Sequence, residues 1–366
     1  MQIKKRRKGN KRIFILSESL MERFKTLNPK ALEGLTPGQK EAAEGSLSFK
    51  GVNHKQWSDW RKKLFAMVKK CMGAFPSEAP LNAGIIEKKI FATYVREKVV
   101  FDSERFMSVP AWVCSPKNKK RGEKFPAVLC SPGEGPGKDP LVGLWKGKEC
   151  LEYHKLIAIK LAEQGYVSIT PDWRLYGERA EPVQSSGAPG EASKLIQLAG
   201  KHFNHTLMGL NVWDGIKTID YLSSREDVIP AKIGCLGVCL GAHIAALMAL
   251  YDRRISALVL SGYLGTEQEK IMTGDWLGRQ EEAFPKFHKQ AAAADVAGLL
   301  APLPLLMQNG EYDYHLPSAR AEKAFLQVKK IYQAAGAIDR LEWDFFDGSY
   351  EINVPPITRF FEKRLK

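Results

Sequence analysis

Five residues past the middle of the chain, Gly237-Val-Cys-Leu-Gly241, constrain the fold more than any other stretch. The apolar run Lys232-Ile-Gly-Cys-Leu-Gly-Val leads into them, and an apolar helical pattern over 240–251 leads away. The form is a nucleophile between spaced glycines on a sharp strand-to-helix turn. The glycines let strand and helix approach without side-chain collision. Cys239 is then held at the N-terminus of the helix, whose dipole favours a developing anion and makes a thiol more reactive. A tight turn around an inert, buried cysteine would use the same residues. The position of the turn along the chain favours the reactive reading.

From about residue 85, short apolar runs alternate with helical patterns. Phe91-Ala-Thr-Tyr-Val and Pro110-Ala-Trp-Val-Cys read as two early, antiparallel strands, followed by Phe125-Pro-Ala-Val-Leu-Cys and the loop Ser131-Pro-Gly-Glu-Gly-Pro-Gly. Helices over about 149–164 and 205–223 then alternate with Tyr166-Val-Ser-Ile-Thr and the elbow strand. Beyond the elbow come Ile255-Ser-Ala-Leu-Val-Leu, Pro304-Leu-Leu-Met-Gln, a helix over 317–335, Arg340-Leu-Glu-Trp-Asp-Phe-Phe and a terminal helix from about Pro356. This pattern predicts an α/β fold with a mostly parallel central sheet covered by helices and ligands at the carboxyl ends of its strands. Residues 13–80 carry little strand signal, and 58–70 has apolar residues at helical spacing. The expected organisation is a basic tail and N-terminal helical segment over 1–84. A core over 85–366 follows, with a lid-like insertion at about 263–300 that contains Trp276, Phe284 and Phe287.

Several motifs share this order: Pro171-Asp-Trp-Arg-Leu-Tyr-Gly-Glu-Arg, Arg225-Glu-Asp-Val-Ile-Pro, the elbow with Ala242-His243, Ser261-Gly-Tyr-Leu-Gly, Gln308-Asn-Gly-Glu-Tyr-Asp and Phe346-Asp-Gly-Ser-Tyr-Glu. Through them residues 85–366 resemble the α/β-hydrolase superfamily, and within it the bacterial dienelactone-hydrolase and acetyl-esterase-like group. The resemblance implies an α/β-hydrolase fold and an ancestry acting on ester, lactone or related acyl bonds. Chain order in such enzymes is nucleophile, acid, histidine. Asp313 matches the acid, which would orient an imidazole; as a bare residue it also fits a turn or helix cap. The histidine segment reads Asp347-Gly-Ser-Tyr-Glu351, so Tyr350 stands where the histidine should be, and no histidine follows His315. A phenol, with an ordinary pKa of ~10, is a poor general base at neutral pH but can donate a proton.

The backbone amides of Glu134 and Leu240 are the expected oxyanion donors. The Glu134 side chain points either to solvent or toward the thiol; the resemblance implies the second, since dienelactone hydrolases hold a carboxylate near their cysteine. His315 is the best substitute for the missing histidine and, with Trp173, Arg174 and Tyr176, a candidate substrate contact. Glu178 and Arg179 read as a salt-bridged loop. His154, His202, His205 and His243 read as surface or packing residues. The spacing His202-Phe-Asn-His205 has no visible third ligand, and no metal or cofactor is expected.

Composition excludes little. Half of the +14 net charge lies in the first twelve residues, a run without acids. That run reads as a solvated terminus, and nucleic acid is not the expected partner, because no binding-module signature accompanies it. No apolar window is long enough to span a membrane, and the start lacks a secretory pattern. Six scattered cysteines without ligand spacing point to a reducing, cytoplasmic setting. The expected partner is a small-molecule substrate, with a homo-oligomer left open. The leading expectation is an enzyme with an altered triad of Cys239, Asp313 and Tyr350, assisted by Glu134, acting by hydrolysis, transfer, isomerisation, cyclisation or elimination. The alternatives are a catalytically inactive relative that binds a small molecule or a protein, and thioester hydrolysis with His315 as base.

Overall fold

The computed structural model describes residues 46–133, 135–144, 154–180, 203–264, 290–313 and 318–366. The strands are β1 (Gly84–Ile90), β2 (Tyr94–Glu104), β3 (Met107–Pro116), β4 (Phe125–Ser131), β5 (Val167–Pro171), β6 (Val228–Val238), β7 (Ile255–Ser261), β8 (Leu305–Gly310) and β9 (Leu341–Phe346). The helices are α1 (His54–Met72), α2 (Ile157–Glu163), α3 (Leu207–Ser224), α4 (Leu240–Tyr251), α5 (Ala293–Leu299), α6 (Ser318–Ala334) and α7 (Val354–Leu365). All nine strands form one sheet in the order β1-β2-β3-β5-β4-β6-β7-β8-β9. The first three strands pair antiparallel, and so does β3 with β5; every pair from β5 to β9 is parallel.

Alternation along the inner strands assigns residues to two faces. Leu129, Ile169, Cys235, Leu258 and Met307 pack with α1, α3, α4, α5 and α6. Val128, Cys130, Leu236, Val259 and Leu306 pack with α2 and α7. The expected mostly parallel, helix-covered sheet is therefore present.

Three local expectations change. Phe91–Thr93 lie in the turn between β1 and β2, closed by Phe91 N–H donating to the Tyr94 carbonyl at 2.9 Å. The early strands thus number three, and β1 is an edge strand exposed throughout. Of the N-terminal segment, only His54–Met72 is helical among the described residues, and Leu64, Val68 and Met72 sit fully buried in the main core. Helix α5 is buried along its whole length, so the C-terminal part of the 263–300 segment belongs to the core. Trp276, Phe284 and Phe287 lie outside the described residues.

The Arg225-Glu-Asp-Val-Ile-Pro motif works at the end of the sheet opposite the elbow. The Arg225 guanidinium donates to both Asp227 oxygens at 2.8 and 2.9 Å and to Glu97 at 3.0 Å. Burial alone would raise the Asp227 carboxyl, yet Arg225 and Lys119 outweigh it and hold it at about 2. A depressed carboxyl stabilises the fold above its unfolded value of about 4 and loses that contribution as pH falls through the folded value. The stability gap between wild type and Asp227→Asn should therefore close between about pH 4 and about pH 2. Urea unfolding of both proteins across that window checks it, and a gap that stays constant refutes it.

Candidate active site

β6 ends at Val238 and α4 starts at Leu240, which leaves Cys239 alone on the turn with φ 52° and ψ −118°. A side chain rarely adopts that conformation without support. Here the Cys239 N–H donates to the Ser261 carbonyl at 3.0 Å, and its C=O accepts from Ala242 at 2.9 Å and His243 at 3.3 Å. Both elbow glycines are required sterically. A Cβ on Gly237 would lie 2.4 Å from the Gly241 carbonyl oxygen and 2.5 Å from Ala242 Cα. A Cβ on Gly241 would lie 2.3 Å from the carbonyl oxygens of both Ser131 and Pro132. The Ser131 hydroxyl also donates to the Gly241 carbonyl at 2.8 Å. The ends of β4, β6 and β7 therefore converge on one point.

The ends of β8 and β9 join them. Gly262 follows β7, and a Cβ built there would lie 3.9 Å from both Cys239 N and Tyr350 Cε2. Tyr350 and Cys239 pack against the same apolar cluster. Backbone bonds stitch the Asp313 loop to the Tyr350 loop: Glu311 N–H donates to Phe346, and Tyr312 N–H to Gly348, each at 2.9 Å. Gly310 permits this approach, since a Cβ there would meet the Ser349 carbonyl oxygen at 2.2 Å. Asp313 itself is buried. Cys239, Asp313 and Tyr350 thus sit on neighbouring strand ends, with the amide of Leu240 opening α4. Glu134, His315 and His202 lie outside the described residues.

The thiols divide by environment. Burial pushes Cys114 up to about 12 and raises Cys130 and Cys235 further. Cys239 and Cys71 are half-buried, and none of the five described cysteines is in a disulfide. Among the described cysteines only Cys239 has a helix N-terminus beneath it, so brief iodoacetamide treatment should label it before Cys71 and leave Cys114, Cys130 and Cys235 unmodified. Peptide mapping checks the order; Cys71 labelled with Cys239 spared contradicts it.

Two substrate-contact expectations are corrected. Trp173 is fully buried in the main core, and Arg174 is only 6% exposed. Arg174 Nε and Nη2 bind both oxygens of Asp214 at 3.0 and 2.9 Å, and Nη2 also reaches Glu104 at 2.6 Å. A guanidinium so engaged offers little to a ligand. Tyr176 is half-buried and packs against the main core. Arg179 and Glu178 make ion pairs with Asp214 and Lys138. Sequence reasoning missed that Lys138, Asp172 and Asp214 are fully buried charges, each paired with a residue tens of positions away.

His243 lies 4.6 Å from the Tyr263 ring, whose hydroxyl donates to the Ala293 carbonyl at 2.9 Å. Burial lowers His154 to about 3, which keeps it neutral. Among the described residues, no group of three or more His, Cys, Asp or Glu could hold a metal ion, and no helix is long and apolar enough to cross a membrane.

A model of the abhydrolase family matches residues 41–350. The Bacillus subtilis (strain 168) protein YtaP, provisionally named a hydrolase, is 26% identical over 76% of this chain and 89% of its own length. A Bacteroides fragilis protein provisionally named an acetyl xylan esterase superposes with a TM-score of 0.65 at 19% identity, covering 99% of this chain and 92% of the other. A glucuronoyl esterase from Solibacter usitatus superposes with a TM-score of 0.61 at 13% identity, covering 87% and 96%. Both superpositions establish the α/β-hydrolase fold.

Proposed function

This chain belongs to the abhydrolase family, and from that premise we propose that it acts on a small-molecule ester, thioester or lactone through a covalent intermediate on Cys239. Asp313 and Tyr350 fill the two remaining positions of the triad. The observation that carries the reading is Cys239 itself: a strained, non-glycine residue at a helix N-terminus, with Gly237 and Gly241 packed where any side chain would collide. Backbone strain of this kind persists where function uses it. The names of the hydrolase and esterase relatives favour an acyl substrate.

In the proposed cycle the Cys239 thiolate adds to the acyl carbon, and the carbonyl electrons move onto oxygen, where the amides of Leu240 and Glu134 hold the charge. Collapse expels the alkoxide, which takes the phenolic proton of Tyr350, and leaves a thioester on Cys239; the phenolate, with an ordinary pKa of ~10, regains a proton from solvent at neutral pH. Hydrolysis of that thioester requires a base to activate water, which a phenol supplies poorly. Transfer to a stronger nucleophile than water, or slow hydrolysis, is the consequence. The same weakness favours a second reading, a binding protein of hydrolase descent. Mixing wild type with p-nitrophenyl acetate separates the two. The covalent reading expects a burst of nitrophenol stoichiometric with enzyme, followed by slow turnover, and no burst from Cys239→Ala. A flat trace from both proteins supports the binding protein.

A further inference from the structure

Tyr350 stands on the loop 347–353, between β9 and α7. The entry of this loop is fixed by the backbone bonds from Glu311 and Tyr312 already described. Its exit, Asn353, is fixed by side chains, and the sequence explains why. An asparagine before a helix ordinarily accepts an N–H from the second or third helical residue. Here those residues are Pro355 and Pro356, which have none, and Asn353 makes no capping bond. Its amide donates instead to Asp344 Oδ1 at 3.4 Å.

Gln308 holds the same residue from the other side. It lies on β8 opposite Asp344 of β9, and its Nε2 donates to the Asn353 carbonyl at 2.8 Å and to Asp344 Oδ2 at 2.7 Å. Both contacts are acceptors, so the amide nitrogen and not the oxygen must face them. Among the described residues the Gln308 oxygen, also buried, finds no donor. Burial raises the Asp344 carboxyl, and the Gln308 and Asn353 amides only partly offset it. An orphaned oxygen costs stability that an apolar side chain would not. What the glutamine supplies is a clasp joining β8, β9 and the exit of the Tyr350 loop.

We infer that Gln308 is a positioning residue that sets the place of Tyr350 beside Cys239. The inference rests on the proposed role of Tyr350 as proton donor to the leaving alkoxide. Between Tyr350 and the clasped carbonyl, Ile352 is buried in the cluster against which Cys239 and Tyr350 also pack. A shift of Asn353 is therefore passed along a packed stretch to the phenol. The backbone of Gln308 is tied to the elbow as well, since its carbonyl accepts the Gly262 N–H at 3.1 Å. A displacement of about 1 Å at a reacting group costs about 10²-fold in rate.

Two esters that differ in leaving group separate positioning of the phenol from general damage. Nitrophenolate is a stable anion and departs without a proton, whereas the alkoxide of benzyl acetate needs one. Acetylation of Cys239 by each ester is followed by mass spectrometry, and the ratio of the two rates is the readout. Gln308→Met keeps the length of the side chain and removes both donated bonds. It should lower the benzyl-to-nitrophenyl ratio about 10²-fold, and Tyr350→Phe should lower it at least as far. In the Tyr350→Phe background, Gln308→Met should change the ratio by no more than about twofold. If Gln308→Met does not fold, Gln308→Glu, which sets a carboxylate against the same two acceptors, carries the test. An unchanged ratio, a further fall in the Tyr350→Phe background, or failure of both variants to fold overturns the inference. Wild type acetylated by p-nitrophenyl acetate but not by benzyl acetate removes the proton-donor reading and this inference with it. Wild type acetylated at Cys239 by neither ester fails earlier, at the nucleophile, and overturns both.

Discussion

Tyr350→His should raise steady-state hydrolysis of p-nitrophenyl acetate by about 10²–10⁴-fold, the range in which a positioned general base contributes. The loop is already built for it. Gly310 lets the strand end of β8 touch the Ser349 carbonyl, and two backbone bonds fix the 346–348 segment to the turn that carries Asp313. Gly262 lies beside both, since a Cβ built there would stand 3.9 Å from Cys239 N and from the Tyr350 ring edge. An imidazole at position 350 would therefore enter beside the thiol, with a buried carboxylate on the adjoining loop to orient it. The gain should fall in deacylation, turning a burst into continuous release. The double variant Tyr350→His/Cys239→Ala supplies the background. If wild type is already fast and Tyr350→His slows it, the phenol is a working catalytic group and the account of a disabled triad is wrong.

Gly241→Ala should destabilise the protein by about 1–3 kcal/mol and remove the acylation burst. The added methyl would stand 2.3 Å from two carbonyl oxygens, those of Ser131 and Pro132, and both are backbone. Neither can rotate aside, so β4 or α4 must shift. β4 is hydrogen-bonded on both sides, to β5 and β6, and the strain passes into the centre of the sheet. Moving the β4 end also moves Ser131 and Pro132, which lead into the segment whose Glu134 amide is proposed to hold the oxyanion. Gly84→Ala is the control: it lies on the exposed edge strand, and a Cβ there meets nothing within 4 Å. Urea midpoints and burst amplitudes read both effects. A Gly241→Ala protein as stable and as reactive as Gly84→Ala refutes the steric account of the elbow.

The central strands and the elbow were legible because their constraints are local. β4 to β8 are rich in apolar residues and punctuated by glycine or proline, and Gly237 answers to Gly241 and Ala242 a few residues away, although Gly241 answers to Ser131 and Pro132 across the sheet. Asp313 and Tyr350 were singled out by their order after the elbow, and they follow β8 and β9 at the same end of the sheet as Cys239. What escaped depended on partners distant in sequence. Arg174 looked like a ligand contact because the residue it binds, Asp214, lies 40 positions later on α3. Nothing in the loop sequence marks Lys138 as buried, because its partner Asp172 lies 34 positions away. The edge hairpin was misread because β1 is exposed on both faces and shows no alternation to mark it.

The central claim is that Cys239 takes the acyl group and, without a histidine, gives it up slowly. Wild type is mixed with p-nitrophenyl acetate, quenched in acid over a time course, digested and mapped by mass spectrometry. The account predicts a single acetyl group on the peptide carrying Cys239, formed as fast as the burst and persisting after excess ester is removed. Acetylation of lysines or of Cys71 with Cys239 unmodified would contradict it.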